Sequence, residues 1–303
     1  MIKFTNICKM TQKQLKNFMQ EYLTSQNYEV VSKDGFLYAK GTVPVLLVAH
    51  LDTVHKKLPS EIVQQNTKIS SPQGIGGDDR CGVFMIASIV EDTHCSVLLC
   101  EDEEAGMVGA KKFADTQFIK ELDVNYMIEF DRKGRNDAVF YSCGNDDFID
   151  FVVDNTNYRE SFGTFSDISA LMPASKLCGV NLSCGYYNPH TVQEYVMYDE
   201  MLNTISVAKA LINEECEKFE YTTRKYSYDP YAYCSYTPNK KKRSIVDMIK
   251  DDTCLELEVI AKDAYGDEYT IYALGDTKAE CWLELFLNNP NLCMNDIEDY
   301  SFN

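Results

Sequence analysis

Four predominantly apolar runs constrain the fold of this 303-residue chain more than any other feature of its sequence. They are Val43–Ala49, Cys95–Cys100, Val124–Phe130 and Leu177–Leu182. A strand with one solvated face alternates apolar and polar residues, whereas a strand buried on both faces is apolar along most of its length. The four runs therefore predict strands of a sheet that is covered on both faces.

Helical patterns lie between and around these runs. Thr11-Gln12-Lys13-Gln14 has the form of a capping box and begins a helix. Further helices are predicted at Gly82–Val90 and Gly106–Phe113, and a long amphipathic helix is predicted over Tyr198–Phe219. Buried strands that alternate with helices predict an α/β fold with a mostly parallel sheet sandwiched by helices.

The character of the sequence changes near residue 220. A tyrosine-rich stretch leads into the basic run Lys240–Arg243, and residues 244–303 are acidic and lack histidine. Leu255–Ile260 alternates strictly, Tyr269–Ala273 is its predicted hairpin partner, and Ala279–Leu287 is predicted to be helical. We therefore predict a main domain over residues 1–220, a linker over 221–243 and a small acidic α+β module over 244–303.

The net charge of the chain excludes two classes of partner. The formal charge is −18 at pH 7 and the isoelectric point is about 4.6. Nucleic-acid-binding proteins and proteins that bind anionic lipid need a basic surface, which this composition does not supply. We expect neither a nucleic-acid partner nor a membrane partner.

The cysteines indicate the compartment. The chain has 12 cysteines, none spaced as Cys-x-x-Cys, and several lie inside apolar runs. Such residues are typical of small buried thiols rather than of a disulfide framework or a thiolate zinc site. The first residues also lack an apolar targeting segment. We therefore expect a cytoplasmic protein.

Acidic residues and histidines follow the carboxyl ends of the apolar runs. His50 closes the first run, and Glu103 and Glu104 follow the second. In open α/β sheets, ligands bind in the crevice beyond the carboxyl ends of the strands. A glycine-rich loop before a helix adds Asp78 to the set. The candidate site residues are His50, Asp52, Asp78, Glu103, Glu104, Asp131 and His190.

Each of these residues has a structural explanation when it is considered alone. A single histidine after a strand is more often a hydrogen-bonded structural residue than a ligand. The pair Asp78-Asp79 would cap the helix that follows it, and Asp131 would form a surface ion pair with Arg132. The joint placement of five segments favours one site instead. His55 and His94 lie in polar loops and are assigned no role.

The residue types suit a site for two metal ions. Two histidines and three carboxylates supply nitrogen and oxygen ligands for two zinc ions, although Mn²⁺ or Co²⁺ would also accept such ligands. One carboxylate must then bridge the two ions. Of Glu103 and Glu104, one can ligate while the other acts as a general base. Asp52 lies on the same strand face as His50 and can orient its imidazole.

The motifs around these residues resemble those of the co-catalytic zinc exopeptidase clan, which includes zinc aminopeptidases, tripeptidase T-like enzymes and tetrahedral aminopeptidases. The resemblance covers about residues 40–215. The matching segments are Ala49–Val54, Gly77–Gly82, Asp102–Gly106, Asp131 and His190–Glu194.

The resemblance implies a role for each candidate residue. Asp78 would bridge two zinc ions, Glu103 would be the general base, and a cis peptide would join Asp78 to Asp79. The implied zinc ligands are His50, Asp78, Glu104, Asp131 and His190. The intervals between the ligands are too short for the lid or dimerisation domain that some members of the clan insert, so we expect a minimal catalytic domain with a C-terminal addition.

The favoured function is that of a zinc exopeptidase, most simply an aminopeptidase that hydrolyses amide bonds of short peptides. A dipeptidase or N-acyl amino acid deacylase is an alternative, with Arg80 or Arg132 as the reader of a substrate carboxylate. A catalytically inactive member that binds peptides is a second alternative. A purely structural protein is disfavoured because it would bury several carboxylates without enough cations.

Overall fold

A computed structural model describes residues 2–224, 255–262, 268–275 and 297–302 of the chain. The chain divides into two compact units, Met1–Tyr226 and Ser227–Asn303. The larger part of the predicted linker and the predicted helix Ala279–Leu287 lie outside the described residues. The two units are treated separately below.

The first unit contains eight described helices and twelve described strands. The helices are α1 (Phe4–Ile7), α2 (Gln12–Ser25), α3 (Gly77–Ile89), α4 (Val108–Ala114), α5 (Gln117–Lys120), α6 (Asp146–Thr156), α7 (Asp167–Ser175) and α8 (Tyr198–Ile212). The strands are β1 (Val30–Lys33), β2 (Phe36–Ala39), β3 (Val43–His50), β4 (Val63–Gln65), β5 (Lys68–Ser70), β6 (Cys95–Cys100), β7 (Tyr126–Arg132), β8 (Asp137–Val139), β9 (Arg159–Ser161), β10 (Gly179–Ser183), β11 (Tyr186–Tyr187) and β12 (Tyr195–Met197).

The main sheet has eight strands in the order β1-β2-β6-β3-β7-β10-β8-β9. The four central strands β6, β3, β7 and β10 are parallel to one another. They are the four apolar runs of the sequence, and each residue of β6 and β10 is buried. The predicted α/β fold with a mostly parallel, covered sheet is therefore confirmed.

Two groups of helices cover this sheet. Helices α3 and α8 contact each other and contact the sheet through β3, β7 and β10, whereas α4 and α7 form a second packed pair that contacts β2, β6 and the central strands. The predicted capping box of α2 is present, since the Thr11 hydroxyl accepts a hydrogen bond from the Gln14 backbone and the Gln14 side chain accepts one from the Thr11 backbone. These layers enclose one continuous apolar core.

A second, four-stranded sheet of the first unit has the order β11-β12-β5-β4 and is antiparallel. The apolar pattern does not predict it because its strands are only two or three residues long. Its hairpin β11–β12 is connected by residues 188–194, and this connection carries His190. His190 was expected just beyond the end of the main sheet, and the structure places it on this hairpin instead.

The predicted helix Tyr198–Phe219 is wrong in its length, because α8 ends at Ile212. Three glutamates follow within five residues, and negative charge at the carboxyl end of a helix opposes the helix dipole. Residues 213–224, here called the C-terminal strap, run across other elements instead. Phe219 donates its backbone N–H to Asn125 and accepts one from Cys178, both at 3.0 Å.

The C-terminal strap continues past the predicted domain boundary at residue 220. Tyr221 donates its backbone N–H to Lys176 at 3.0 Å, and Arg224 donates to Ser142 at 2.8 Å. The aromatic ring of Phe219 packs against Phe148 and Phe151, with ring centroids 5.2 and 5.1 Å apart. The boundary at residue 220 therefore falls inside a segment that belongs to the first unit.

The described part of the second unit is a three-stranded antiparallel sheet. Its strands are β13 (Leu255–Lys262), β14 (Glu268–Gly275) and β15 (Ile297–Phe302), in the order β14-β13-β15. The predicted hairpin is confirmed, since Leu257 pairs with Ala273 in β14.

The eight cysteines that the structure describes are free thiols, and seven of them are buried. This agrees with the interpretation of the cysteines as small core residues. Among the described helices, none combines the length and the apolar character that a membrane span requires.

Candidate metal centre

Asp78 lies between the imidazoles of His50 and His190, which are distant from each other in the sequence. Its Oδ1 is 3.0 Å from Nε2 of His50, and its Oδ2 is 3.1 Å from Nε2 of His190. Each carboxylate oxygen therefore faces a different imidazole. This is the arrangement that a carboxylate bridging two metal ions requires.

Each imidazole also faces one further carboxylate. Asp131 Oδ1 is 3.5 Å from His50 Nε2, and Glu104 Oε1 is 3.1 Å from His190 Nε2. The ligand atoms of Asp78, Glu104 and His190 all lie within 4.8 Å of one another. The five predicted ligands thus form two groups that share Asp78, and each group offers one imidazole and two carboxylates.

The central strands of the main sheet position the group around His50. His50 is the last residue of β3, and its side chain is only 1% exposed. Asp131 lies near the end of the neighbouring strand β7, one residue inside the strand rather than after it. The Ser166 hydroxyl donates to Asp131 Oδ2 at 2.9 Å, and the Tyr186 hydroxyl donates to Oδ1 at 3.2 Å. These donors hold the carboxylate facing His50.

Asp52 joins His50 to the paired glutamates. Its Oδ1 is 3.2 Å from Nδ1 of His50 and accepts a hydrogen bond from the Glu103 backbone at 3.0 Å. Its Oδ2 accepts a hydrogen bond from the Glu104 backbone at 3.1 Å. The predicted contact between Asp52 and His50 is present. The contacts with Glu103 and Glu104 were not predicted, and they fix the carboxylate pair relative to the imidazole.

The peptide bond between Asp78 and Asp79 is cis, as the resemblance implies. Both residues have non-helical backbone angles although they lie within the bounds of α3. Asp79 is fully buried and accepts hydrogen bonds from the backbone of His50 at 3.1 Å and of Gly82 at 2.9 Å. Asp79 therefore caps the start of the regular helix and ties it to the end of β3.

The cluster carries more buried negative charge than its neighbours compensate. Among the described residues, each ion pair of a lysine or arginine involves an acidic residue outside the set Asp78, Glu103, Glu104 and Asp131. Burial raises the pKa of Glu103 to about 8 and the pKa of Glu104 to about 7. Groups of carboxylates with raised pKa values are typical of sites that bind cations or perform proton transfer.

The carboxylates of the cluster also change the pKa values of the two histidines. Burial opposes the protonation of His50, but the carboxylates of Asp131, Asp52 and Asp78 raise its pKa well above the ordinary value. The hydrogen bond that the protonated imidazole donates to Asp78 raises the pKa of His190 to about 9. Burial also opposes the ionisation of Asp78, but His190 and His50 lower its pKa. The site thus stabilises positive charge between its carboxylates.

The donor set fits zinc. Glu104 Oε1 is buried and has no hydrogen-bond partner although it lies in the group with His190. A buried oxygen of this kind carries an energetic cost unless a cation or a donor occupies its lone pairs. Imidazole nitrogens and carboxylate oxygens in groups of three are ligands that zinc accepts while keeping a position for water or substrate.

His190 is held through a residue to which the sequence analysis assigned no separate role. Glu194, on the same β11–β12 connection, has a fully buried side chain that accepts hydrogen bonds from the backbones of Gly76 and Asp78. His55, which was assigned no role, faces Glu194 with its Nε2 at 2.7 Å. His94 stacks on Tyr28 with a centroid distance of 4.0 Å.

Neither arginine suggested as a reader of a substrate carboxylate is available for that task. Arg80 is 1% exposed and donates to the backbone carbonyls of Leu51 and Asp52. Arg132 forms an ion pair with Asp137 at 3.1 Å. Both guanidinium groups are therefore engaged in the structure of the first unit itself.

A cavity of about 390 Å³ is connected to the Asp131 backbone by hydrogen bonds through Tyr141 and Asn181. Tyr141 lines the cavity, and its hydroxyl accepts a hydrogen bond from the Asn181 amide at 2.9 Å. The other end of the same amide accepts the backbone N–H of Asp131 at 2.8 Å. Phe162 and Arg224 also line the cavity, so its wall combines apolar and charged groups.

No protein-family model and no curated protein sequence matches this chain. Solved structures do match it. The aminopeptidase PepT from Bacillus cereus superposes with a TM-score of 0.58 at 14% sequence identity, over 69% of this chain and 96% of that chain. A tripeptidase from Staphylococcus aureus gives a TM-score of 0.57 at 12% identity, over 69% of this chain and 95% of its own.

A Zn-dependent exopeptidase from Parabacteroides distasonis gives a TM-score of 0.52 at 12% identity, over 70% of this chain and 96% of its own. Almost the whole of each of these three proteins is thus covered by the part of this chain that matches them. At such low identity, the shared property is the arrangement of the backbone. The chain has the fold of the zinc-dependent exopeptidases.

Proposed function

We propose that this protein is a two-zinc exopeptidase, and that it acts as an aminopeptidase on short peptides. One observation carries the proposal: the two oxygens of Asp78 face the imidazoles of His50 and His190 at 3.0 and 3.1 Å. No ordinary structural role needs one carboxylate between two histidines, each of which also faces a further carboxylate. The likeness of the fold to peptidases supports the same proposal.

The chain would hold each zinc ion through one group of the cluster. His50, Asp78 and Asp131 form one group, and His190, Asp78 and Glu104 form the other. Zinc bound there would polarise the scissile carbonyl and lower the pKa of water. Asp52 would keep Nδ1 of His50 protonated and facing away, so that Nε2 is free to ligate.

Glu103 is the proposed general base. Its side chain is buried beside the cluster, and its backbone is fixed by Asp52. Burial raises its pKa to about 8, and the charge of bound cations lowers that value towards neutrality. A carboxylate with a pKa near neutrality can accept a proton from the attacking water and return it to the leaving amine.

The likeness of the fold to a structure named as an aminopeptidase favours a substrate with a free amino terminus. The cavity whose wall residue Tyr141 is linked to the Asp131 backbone through Asn181 would then receive the side chain of the first residue.

Arg224 at the wall of the same cavity favours a second candidate function. Like Arg132, Arg224 forms an ion pair, here with Glu160 at 2.8 Å, but Arg224 lines the cavity and would therefore also be in reach of a substrate carboxylate bound there. A dipeptidase or an N-acyl amino acid deacylase would need such a group. The two candidate functions share the metal chemistry and differ in the substrate terminus that is recognised.

A combined metal and substrate experiment tests the proposal. We expect elemental analysis of the zinc-loaded protein to give two zinc ions per chain. We expect hydrolysis of di-, tri- and tetrapeptides from the amino terminus, and no hydrolysis of the same peptides after N-acetylation. Hydrolysis of N-acetylated amino acids instead would assign the deacylase function. Absence of bound zinc after loading would rule out both candidates.

A further inference from the structure

Glu194 makes contacts that set it apart from the other acidic residues near the cluster. Its side chain is 0% exposed, and each of its oxygens accepts a backbone hydrogen bond. Oε1 accepts the N–H of Asp78 at 2.9 Å, and Oε2 accepts the N–H of Gly76 at 2.8 Å. Oε2 is also 2.7 Å from Nε2 of His55. One buried carboxylate thus has three donors.

These donors belong to different segments that carry candidate ligands. His55 lies on the loop that follows His50, Gly76 lies on the loop that carries Asp78, and Glu194 itself lies four residues after His190. Because hydrogen bonds of a buried carboxylate are short and strongly directional, this contact fixes the three segments relative to one another. Loss of the Glu194 contacts would change the distances between candidate ligands that are distant in sequence.

The loop of Asp78 lies directly on the hairpin that carries His190. A Cβ added at Gly77 would be 2.7 Å from Cγ2 of Val196 and 2.9 Å from Cβ of Tyr186, closer than atoms can approach. Val196 belongs to β12 and Tyr186 belongs to β11. The hairpin therefore approaches the loop as closely as a glycine allows, and Glu194 provides the polar contacts of that approach.

The group around His50 and the group around His190 depend on Glu194 to different degrees. His50 and Asp131 lie on adjacent parallel strands, whose backbone hydrogen bonds fix them without Glu194. His190 has a side chain that is 54% exposed and a backbone φ of 62°, and it lies in a connection between strands of two and three residues. The only buried polar anchor that the described part of this connection offers is Glu194.

We propose that Glu194 is a positioning residue that sets the separation between Asp78 and His190, and thereby the zinc affinity of the group Asp78–Glu104–His190. The proposal rests on the proposed function, because it assumes that this group binds zinc. Glu194 does not contact substrate or zinc in this role. It acts through the Asp78 backbone and through the loop that carries His190, and His55 supports it as the third donor.

A purely structural role of Glu194 makes a different prediction. If Glu194 only stabilised the fold, its replacement would lower the melting temperature and would change both zinc affinities equally or leave both unchanged. A positioning role changes the ratio of the two zinc affinities, because one group lies on strands and the other on the hairpin. The ratio is therefore the decisive measurement.

The experiment uses the full chain and titrates zinc in competition with a chelator, with the stoichiometry checked by elemental analysis. For Glu194→Gln we expect one of the two zinc affinities to fall by about 10–100-fold, the size typical of lost contacts to ligands, while the other stays within about threefold. The melting temperature of the zinc-free variant shows that it is folded. His55→Ala removes one donor and should give a smaller fall in the same affinity.

Glu200→Gln is the matched control. Glu200 accepts the Tyr187 hydroxyl at 2.7 Å, so it also anchors the hairpin, but it makes no contact with the loop of Asp78. Its replacement should leave the ratio of zinc affinities unchanged.

Each outcome decides one question. Two zinc ions in the wild type, with equal falls or no falls of both affinities in a folded Glu194→Gln variant, would overturn this inference alone. If Glu194→Gln does not fold, an unchanged ratio in His55→Ala overturns it. A wild type that binds no zinc would overturn the proposed function together with the inference.

Discussion

The two histidines of the candidate metal centre occupy opposite structural settings. His50 ends a central strand of the main sheet, and its side chain is 1% exposed. His190 lies on a hairpin connection of the smaller sheet, and its side chain is 54% exposed. Both nevertheless face the same carboxylate of Asp78 at almost equal distances.

This difference shows how a rigid and a less constrained half are combined in one site. In the half around His50, the backbone hydrogen bonds of parallel strands and the buried carboxylate of Asp52 fix the positions of the side chains. The half around His190 relies on side-chain contacts with the loop of Asp78. Active-site residues on loops gain access to substrate at the cost of needing such anchors.

The largest expected effect comes from replacing Glu103, the proposed general base. Glu103→Gln keeps the shape of the side chain and removes its ability to accept a proton. We expect turnover of a peptide substrate to fall by about 10²–10⁴-fold, the usual size for the loss of a general base. Two zinc ions should remain bound, as elemental analysis would show.

Asp102→Asn is the control for this variant. Asp102 is exposed, precedes Glu103, and has a φ of 60°, a conformation that asparagine tolerates well. Its turnover should stay close to that of the wild type. Near-wild-type turnover of Glu103→Gln would mean that another group accepts the proton.

A pair of alanine variants separates the two halves by stability. In the zinc-free protein, His50→Ala should lower the free energy of unfolding by about 3 kcal/mol, because it leaves buried carboxylates without their partner. His190→Ala should change it by about 0.5 kcal/mol or less, because the imidazole is largely exposed. Urea unfolding in the presence of a chelator measures both values. Equal losses for the two variants would remove the distinction between the halves.

The same contrast separates what the sequence predicts from what it does not. The strand-borne half follows from the pattern, because an apolar run that ends in His50 and a neighbouring run that ends near Asp131 must bring both residues to one edge of a parallel sheet. The central four strands follow from the same pattern, and the position of Asp78 between His50 and His190 agrees with the motif resemblance.

The hairpin that carries His190 does not follow from the sequence pattern, although the motif resemblance implies that His190 is a ligand. Strands β11 and β12 are too short to show a period, so the smaller sheet has no signal in the pattern. Glu194 lies among polar residues and resembles a surface glutamate until the fold buries it. The end of α8 was missed for a similar reason, since the partners of Phe219 are distant in sequence.

A pH experiment on zinc-free protein gives the next smaller effect. Burial raises the pKa of Glu103 from 4.5 to about 8 and that of Asp167 from 3.8 to about 7. An acid with a raised pKa binds more protons in the folded than in the unfolded chain, so the folded state loses stability as the pH rises through that interval.

We therefore expect the melting temperature of the zinc-free protein to fall by roughly 5 °C or more between about pH 4.5 and pH 8. Bound zinc lowers these pKa values, so the zinc-loaded protein should change much less over the same interval. Differential scanning fluorimetry with chelator and with zinc measures both curves. A zinc-free melting temperature that is constant or rises with pH would show that the carboxylates are compensated in some other way.

The smallest expected effect comes from removing the second unit, which tests whether either half of the centre depends on it. The candidate ligands all precede residue 191, and the C-terminal strap completes the first unit through contacts such as the Arg224 backbone with Ser142. A chain that ends at Tyr226 should therefore bind both zinc ions and keep its turnover within about twofold, because a compact unit with its own core can fold alone. A chain that ends at Ile212 lacks the strap and exposes the apolar surface that Phe219 covers, so we expect it to aggregate. A soluble chain ending at Tyr226 that binds two zinc ions but hydrolyses no substrate of the full chain would assign part of the active site to the second unit.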